Sequence, residues 1–99
     1  MEITILEENG TKIVNICGRL DTVTSPELET AVSPLVEVGK TLVFNCENMD
    51  YISSAGLRVV LSTHKQSMSA GGRFIVRNLN KEVKAVFDMT GFSRLINIE

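Results

Sequence analysis

One stretch of the sequence has residue types and spacing that could do chemistry: Asp50-Tyr51-Ile52-Ser53-Ser54-Ala55-Gly56-Leu57-Arg58. It precedes a segment with apolar residues at helical spacing, so one of its two hydroxyls stands at a helix N-terminus. There, free N–H groups and the positive end of the helix dipole favour an anion. Ser53 and Ser54 are also both good N-cap types, and capping alone accounts for a serine at this place. Gly56 argues for more than a cap. A glycine in the first turn of a helix costs up to about 1 kcal/mol relative to alanine, so its presence points to the close approach of another backbone or a ligand, with room kept beside Ser54.

The common enzyme classes fail for lack of residues. A serine hydrolase needs the elbow G-x-S-x-G, and the segment reads Ser-Ser-Ala-Gly; the single histidine, His64, lies ten residues further along the same helix. At 1.5 Å per residue it is roughly 15 Å away, beyond the reach of a general base and expected at the edge of the core. Neither phosphate-cradling pattern, G-x-x-x-x-G-K-[ST] or G-x-G-x-x-G, occurs, and Gly71-Gly72 precedes a strand, as a turn does. Glu7-Glu8 and the pair Glu27 and Glu29 read as solvated charge. Cys17 and Cys46 each lie in apolar surroundings without a second ligand nearby and are both expected to be buried thiols. No catalytic residue, metal or cofactor is expected, and the chain is not read as an enzyme.

The elements that must position the serines fit one domain spanning residues 1–99, with 43% hydrophobic and 22% charged residues. The 10 Lys+Arg against 12 Asp+Glu give a net charge of -2, without the basic excess that nucleic-acid binding requires. No apolar run reaches the ~18 residues of a membrane span, and Met1-Glu2-Ile3-Thr4 lacks the form of a signal peptide, so the expected location is the cytoplasm, with neither nucleic acid nor membrane as partner. Ile3–Leu6 and Ile13–Leu20 read as antiparallel strands around an Asn9-Gly10 turn. Thr24 and Glu27 are spaced as a capping box ahead of a helix carried past Pro34 to Val38 and ended by Gly39. Thr41–Cys46 reads as the central strand, covered on both faces. A second helix follows Ser53-Ser54, with Leu57, Val60, Leu61, His64 and Met68 on one face, up to Gly71-Gly72. Phe74–Val76 is a strand, Asn80 caps a third helix ended by Gly91, and Leu95–Ile98 is a last strand. The order is ββαβαβαβ: an α/β fold with a mixed, mostly parallel sheet and three main helices. Its strand-to-helix turns share one edge, where sites belong.

Three motifs in this order resemble a known family: Gly18-Arg19-Leu20-Asp21 after the second strand, Asp50 to Leu61, and Val86-Phe87-Asp88-Met89-Thr90-Gly91 near the end. Together they look like the STAS domain of bacterial anti-sigma factor antagonists. The resemblance implies the STAS fold and a protein-binding switch. The unphosphorylated form binds an anti-sigma factor that is itself a serine kinase and so frees the sigma factor; phosphorylation ends the binding. It implies Ser54, two positions before the glycine of Gly56-Leu57, as phosphoacceptor, with Asp21, Ala55, Gly56 and Leu57 as its neighbours or partner-binding positions. Many members carry aspartate before the serine and Ser or Thr after it; here Ser53 and Ala55 stand there, which makes Ser53 the alternative acceptor. ATP and Mg then belong to the kinase, and a metal-dependent serine phosphatase is the second partner. The competing function is a STAS scaffold or accessory subunit of a signalling or transport complex, in which Ser54 is only a cap.

Overall fold

The computed structural model describes residues 1–99. The chain opens with β1 (Glu2–Glu8) and β2 (Thr11–Leu20), antiparallel with Glu8 opposite Thr11. Asn9 and Gly10 between them both have positive φ, 52° and 80°, which is the two-residue turn whose twist matches that of paired strands. Then come α1 (Ser25–Val32), β3 (Thr41–Asn45), β4 (Met49–Ile52), α2 (Ser54–Ser69), β5 (Arg73–Arg77), α3 (Lys81–Thr90), α4 (Phe92–Leu95) and β6 (Asn97–Ile98). The sheet runs β1-β2-β3-β5-β6, with β4 beside β2, and every pairing except β1 with β2 is parallel.

From β2 onward each crossover steps the same way along the sheet, so right-handed connections put the helices on one face. Strand alternation supplies the matching apolar set: Val14 and Ile16, Leu42 and Phe44, Phe74 and Val76 join Leu28, Val32, Leu57, Val60, Val83 and Phe87 in one core. Phe44 and Phe74 meet edge to face at 4.8 Å. β3 lies mid-sheet as expected. On its other face Val43 is also buried, and Asn45 is held between Asn15 and Asn78 by hydrogen bonds of 2.7 and 2.8 Å.

Several expectations are corrected. Glu47–Ile52 contains β4, which apolar alternation does not reveal because only Met49 and Ile52 of its four residues are buried. α1 stops at Val32 and Ser33–Leu35 tightens into a 3-10 turn, because Pro34 has no N–H for the ladder and its ring crowds the carbonyl one turn earlier. No capping box forms: the Thr24 hydroxyl donates to the Arg19 carbonyl and accepts from Asp21 N–H, and does not cap α1. Gly91, at φ 83°, turns the chain so that Phe92 packs edge to face on Phe87 at 5.9 Å; the extra turn α4 shortens the last strand to two residues. On α2 the buried stripe is Gly56, Leu57, Val59, Val60, Thr63 and Ser67, and Met68 is exposed. Cys46 continues the inward set of β3, and burial pushes its thiol up to about 12. Cys17 is exposed, since it alternates with buried Ile16 and points to the helix-free face.

The long strand β2 positions the site. Its first half pairs with β3, and after a register shift between Gly18 and Arg19 its last residues pair with β4, Leu20 opposite Ile52. α2 then starts directly against this pair. A Cβ on Gly56 would stand 2.8 Å from Leu20 Cγ, 2.9 Å from Ile52 Cγ1 and 2.9 Å from the Leu20 carbonyl oxygen. The room that the glycine provides is therefore taken by the fold itself, by the Leu20 and Ile52 side chains and the Leu20 carbonyl. Gly56→Ala is expected to lower the melting temperature by roughly 5–15 °C despite alanine's better helix propensity, because overpacking a core costs about 1–3 kcal/mol. Calorimetry checks this, and wild-type melting would show that Leu20 and Ile52 yield freely.

Candidate functional site

At the end of the Leu20–Ile52 pair, two chain segments leave the sheet side by side: Asp21 begins the loop into α1, and Ser53 begins α2. Ser53 N–H donates to the Leu20 carbonyl at 2.9 Å, tying the two together. The serines behind that tie differ in what their hydroxyls do. Ser53 has extended backbone, φ -97° and ψ 176°, and is the N-cap; its Oγ accepts from Gly56 N–H at 3.3 Å and its carbonyl accepts from Leu57 N–H at 2.9 Å. Ser54 is the first helical residue and is exposed, and its Oγ makes no hydrogen bond within the chain. One hydroxyl is occupied in starting the helix and the next is presented to solvent over the positive end of a 16-residue helix.

Asp21 shapes the adjoining loop. Its Oδ1 accepts from Val23 N–H at 3.0 Å and Thr24 N–H at 3.1 Å, and the Thr24 hydroxyl lies 3.2 Å away. The Thr24 N–H leads the groups that hold its carboxyl below the usual aspartate range; the Thr24 hydroxyl, Val23 N–H and the Arg19 charge add to it against partial desolvation. Arg19 Nε stands 3.7 Å from Asp21 Oδ2, and its guanidinium lies 4.1 Å from the centroid of the Tyr51 ring, the residue opposite it in register. All of the hydrogen bonds to the Asp21 carboxylate come from the turn, and none reaches Ser54. The structure thus brings Asp21 and the two serines to one edge but joins them through backbone, not through a carboxylate–hydroxyl contact.

Of the other expected site positions, Ala55 is half-buried, Gly56 lies against Leu20 and Ile52 of β2 and β4, and Leu57 is buried in the core. His64 lies at the core edge, its ring 6.4 Å from Phe74. Arg19 and Tyr51 were not singled out from sequence; their juxtaposition depends on the register of β4, a strand that the residue pattern hides.

A family model described as STAS domain matches residues 2–99. Among curated proteins, the anti-sigma-B factor antagonist of Bacillus subtilis is 34% identical over 85 residues, which is 86% of this chain and 78% of that protein. The solved anti-sigma factor antagonist from Mycobacterium paratuberculosis superposes with a TM-score of 0.88 at 22% identity, covering 98% of this chain and 83% of that one. The anti-sigma factor antagonist SpoIIAA, a Bacillus cell fate determinant, has been solved unphosphorylated and phosphorylated. This chain matches the two with TM-scores of 0.76 and 0.77 at 17% and 20% identity, covering 99% of this chain and 87% and 91% of theirs. The solved structures share the fold, and the family model and the Bacillus subtilis relative, each spanning most of the sequence, show that the chain belongs to the STAS-domain family of anti-sigma factor antagonists.

Proposed function

We propose that this chain is a phosphorylation-controlled antagonist whose unphosphorylated form binds an anti-sigma factor with serine-kinase activity, and that phosphate on Ser54 ends the binding. The observation that carries the choice of residue is the unequal use of the two hydroxyls. Ser54 Oγ is exposed and unengaged, whereas Ser53 Oγ is taken up by the Gly56 N–H. A kinase can reach the first without dismantling the helix start and must break a cap to use the second. The chain is then the kinase's substrate, and a serine phosphatase returns it to the binding form.

Magnitudes favour a switch at the surface over one by refolding. Phosphoserine adds about -1.5 to -2 charges, and a helix N-terminus offsets such charge by roughly 0.3–1 kcal/mol. The fold can carry the group. At a docking surface the same dianion must lose water or face like charge, which costs several kcal/mol, a hundredfold or more in affinity. That SpoIIAA keeps one fold in both phosphorylation states supports the same division here.

Incubation with the kinase and ATP, followed by mapping of the phosphosite by mass spectrometry, tests the assignment. Ser54→Ala should abolish incorporation while keeping the fold and the partner complex, so that binding no longer switches off. Ser53→Ala should lose about 0.5–2 kcal/mol of stability with the cap yet still take phosphate; incorporation that survives in Ser54→Ala and vanishes in Ser53→Ala would move the acceptor to Ser53.

Asp21→Asn separates turn anchoring from help to the serine. The folded pKa of Asp21 is lowered, so its charge stabilises the fold above the unfolded value of about 3.9. That contribution is lost as pH falls through the folded value. Wild type should therefore melt above Asp21→Asn near neutrality, and the gap should close in acid, while the initial phosphorylation rate at saturating kinase stays unchanged. A slower rate in a variant with normal melting would assign the carboxylate a direct role at Ser54.

A further inference from the structure

Beside the serine edge, between β4 and α3, runs a groove of about 100 Å³ lined by Asp50, Tyr51, Ile52, Glu82, Val83 and Val86. Its floor is apolar: Ile52 and Val83 belong to the core and Val86 packs against it. One end is tied shut where the Asn80 side chain donates to the Met49 carbonyl at 3.0 Å. The Tyr51 side is steadied by Arg19, stacked on its ring. Its two charged lining groups are carboxylates, Asp50 and Glu82, beside the Tyr51 phenol; each carboxylate is exposed, and neither has an ion-pair or hydrogen-bond partner in the chain. Ile52 is the last residue of β4, two before Ser54, so the groove continues the edge on which the phosphoacceptor stands.

We propose that this groove receives an arginine side chain of the protein partner. Arginine lays an apolar stem along aliphatic walls and keeps its charged head at a polar rim. Its planar guanidinium offers forked donors that suit carboxylates. A neutral apolar side chain would bring Asp50 and Glu82 out of water with nothing to pair them, and an acidic one would be repelled. The proposal rests on the partner-binding reading above only for which protein supplies the arginine; the chemistry of the groove stands on its own residues.

The test is a ¹⁵N NMR titration of the full chain with n-butylguanidinium, an arginine side-chain analogue, alongside n-butylurea, its neutral counterpart. Saturable shifts are expected at residues 50–52 and 82–86 with the cation and not with the urea. In Asp50→Asn/Glu82→Gln the cation should bind at least roughly ten-fold more weakly. Both side chains are exposed, and unchanged dispersion elsewhere in the same spectra verifies the fold of the variant. Equal binding of the urea, undiminished cation binding by the double variant, or shifts scattered away from the groove would each overturn the proposal. No partner protein enters this titration, so its failure leaves the Ser54 assignment standing. Failure of the kinase assay with a positive titration removes only the identity of the protein that brings the arginine.

Discussion

The structure depends most on the parallel pairing of Leu20 with Ile52, closed by the Ser53 N–H on the Leu20 carbonyl. A parallel pair places two segments at the same level of the sheet without a hairpin between them, so the loop after β2 and the start of α2 leave the edge together. Gly56 makes that edge compact. Because a Cβ there would collide with both members of the pair and with a carbonyl oxygen, α2 can start close against the strands only with glycine in its first turn. The exposed serine is thus mounted on a sterically tight junction.

Such a mounting suits a switch that changes charge and not shape. The core beneath the site is continuous, from Leu20 and Ile52 through Leu57 and Val60 to Phe44 and Phe74, and close-packed cores resist small displacements. The adjoining loop is held by backbone N–H groups donating to Asp21, which orders it with no help from a ligand. The surface is therefore preformed, and little ordering entropy would oppose docking of a partner there. On the proposed reading, phosphate on Ser54 would alter the electrostatics of that surface, where desolvation makes a dianion costly. Polar groups on the opposite, helix-free face satisfy one another, as in the Asn15, Asn45 and Asn78 row.

Much of this was legible in the residues. The Asn9-Gly10 hairpin, the central strand Thr41–Asn45, the Asn80 cap and the Gly91 stop are local devices, each determined by the conformational limits of the residues that form it. The serine pair at a helix start was legible for the same reason, and the three motifs carried the family. Less local features were not. β4 has only two inward residues, Met49 and Ile52, too few for a period to show. The inward stripe of α2 includes Gly56, Thr63 and Ser67, which a search for apolar residues passes over in favour of Met68. The exposure of Cys17 turns on which face of β2 carries the helices.

The sequence by itself determined an α/β chain of one domain, most of its elements, its family and the place of two candidate serines, because helix periods, caps and turns are short-range properties. Only the tertiary structure decided which serine is free. That choice rests on Ser53 Oγ being claimed by Gly56 N–H while α2 is pressed onto Leu20 and Ile52, residues more than 30 positions apart in the chain. It likewise decided that the space at Gly56 belongs to the fold and that Asp50 and Glu82 share one groove, since steric room and unpaired charge arise from contacts between distant segments.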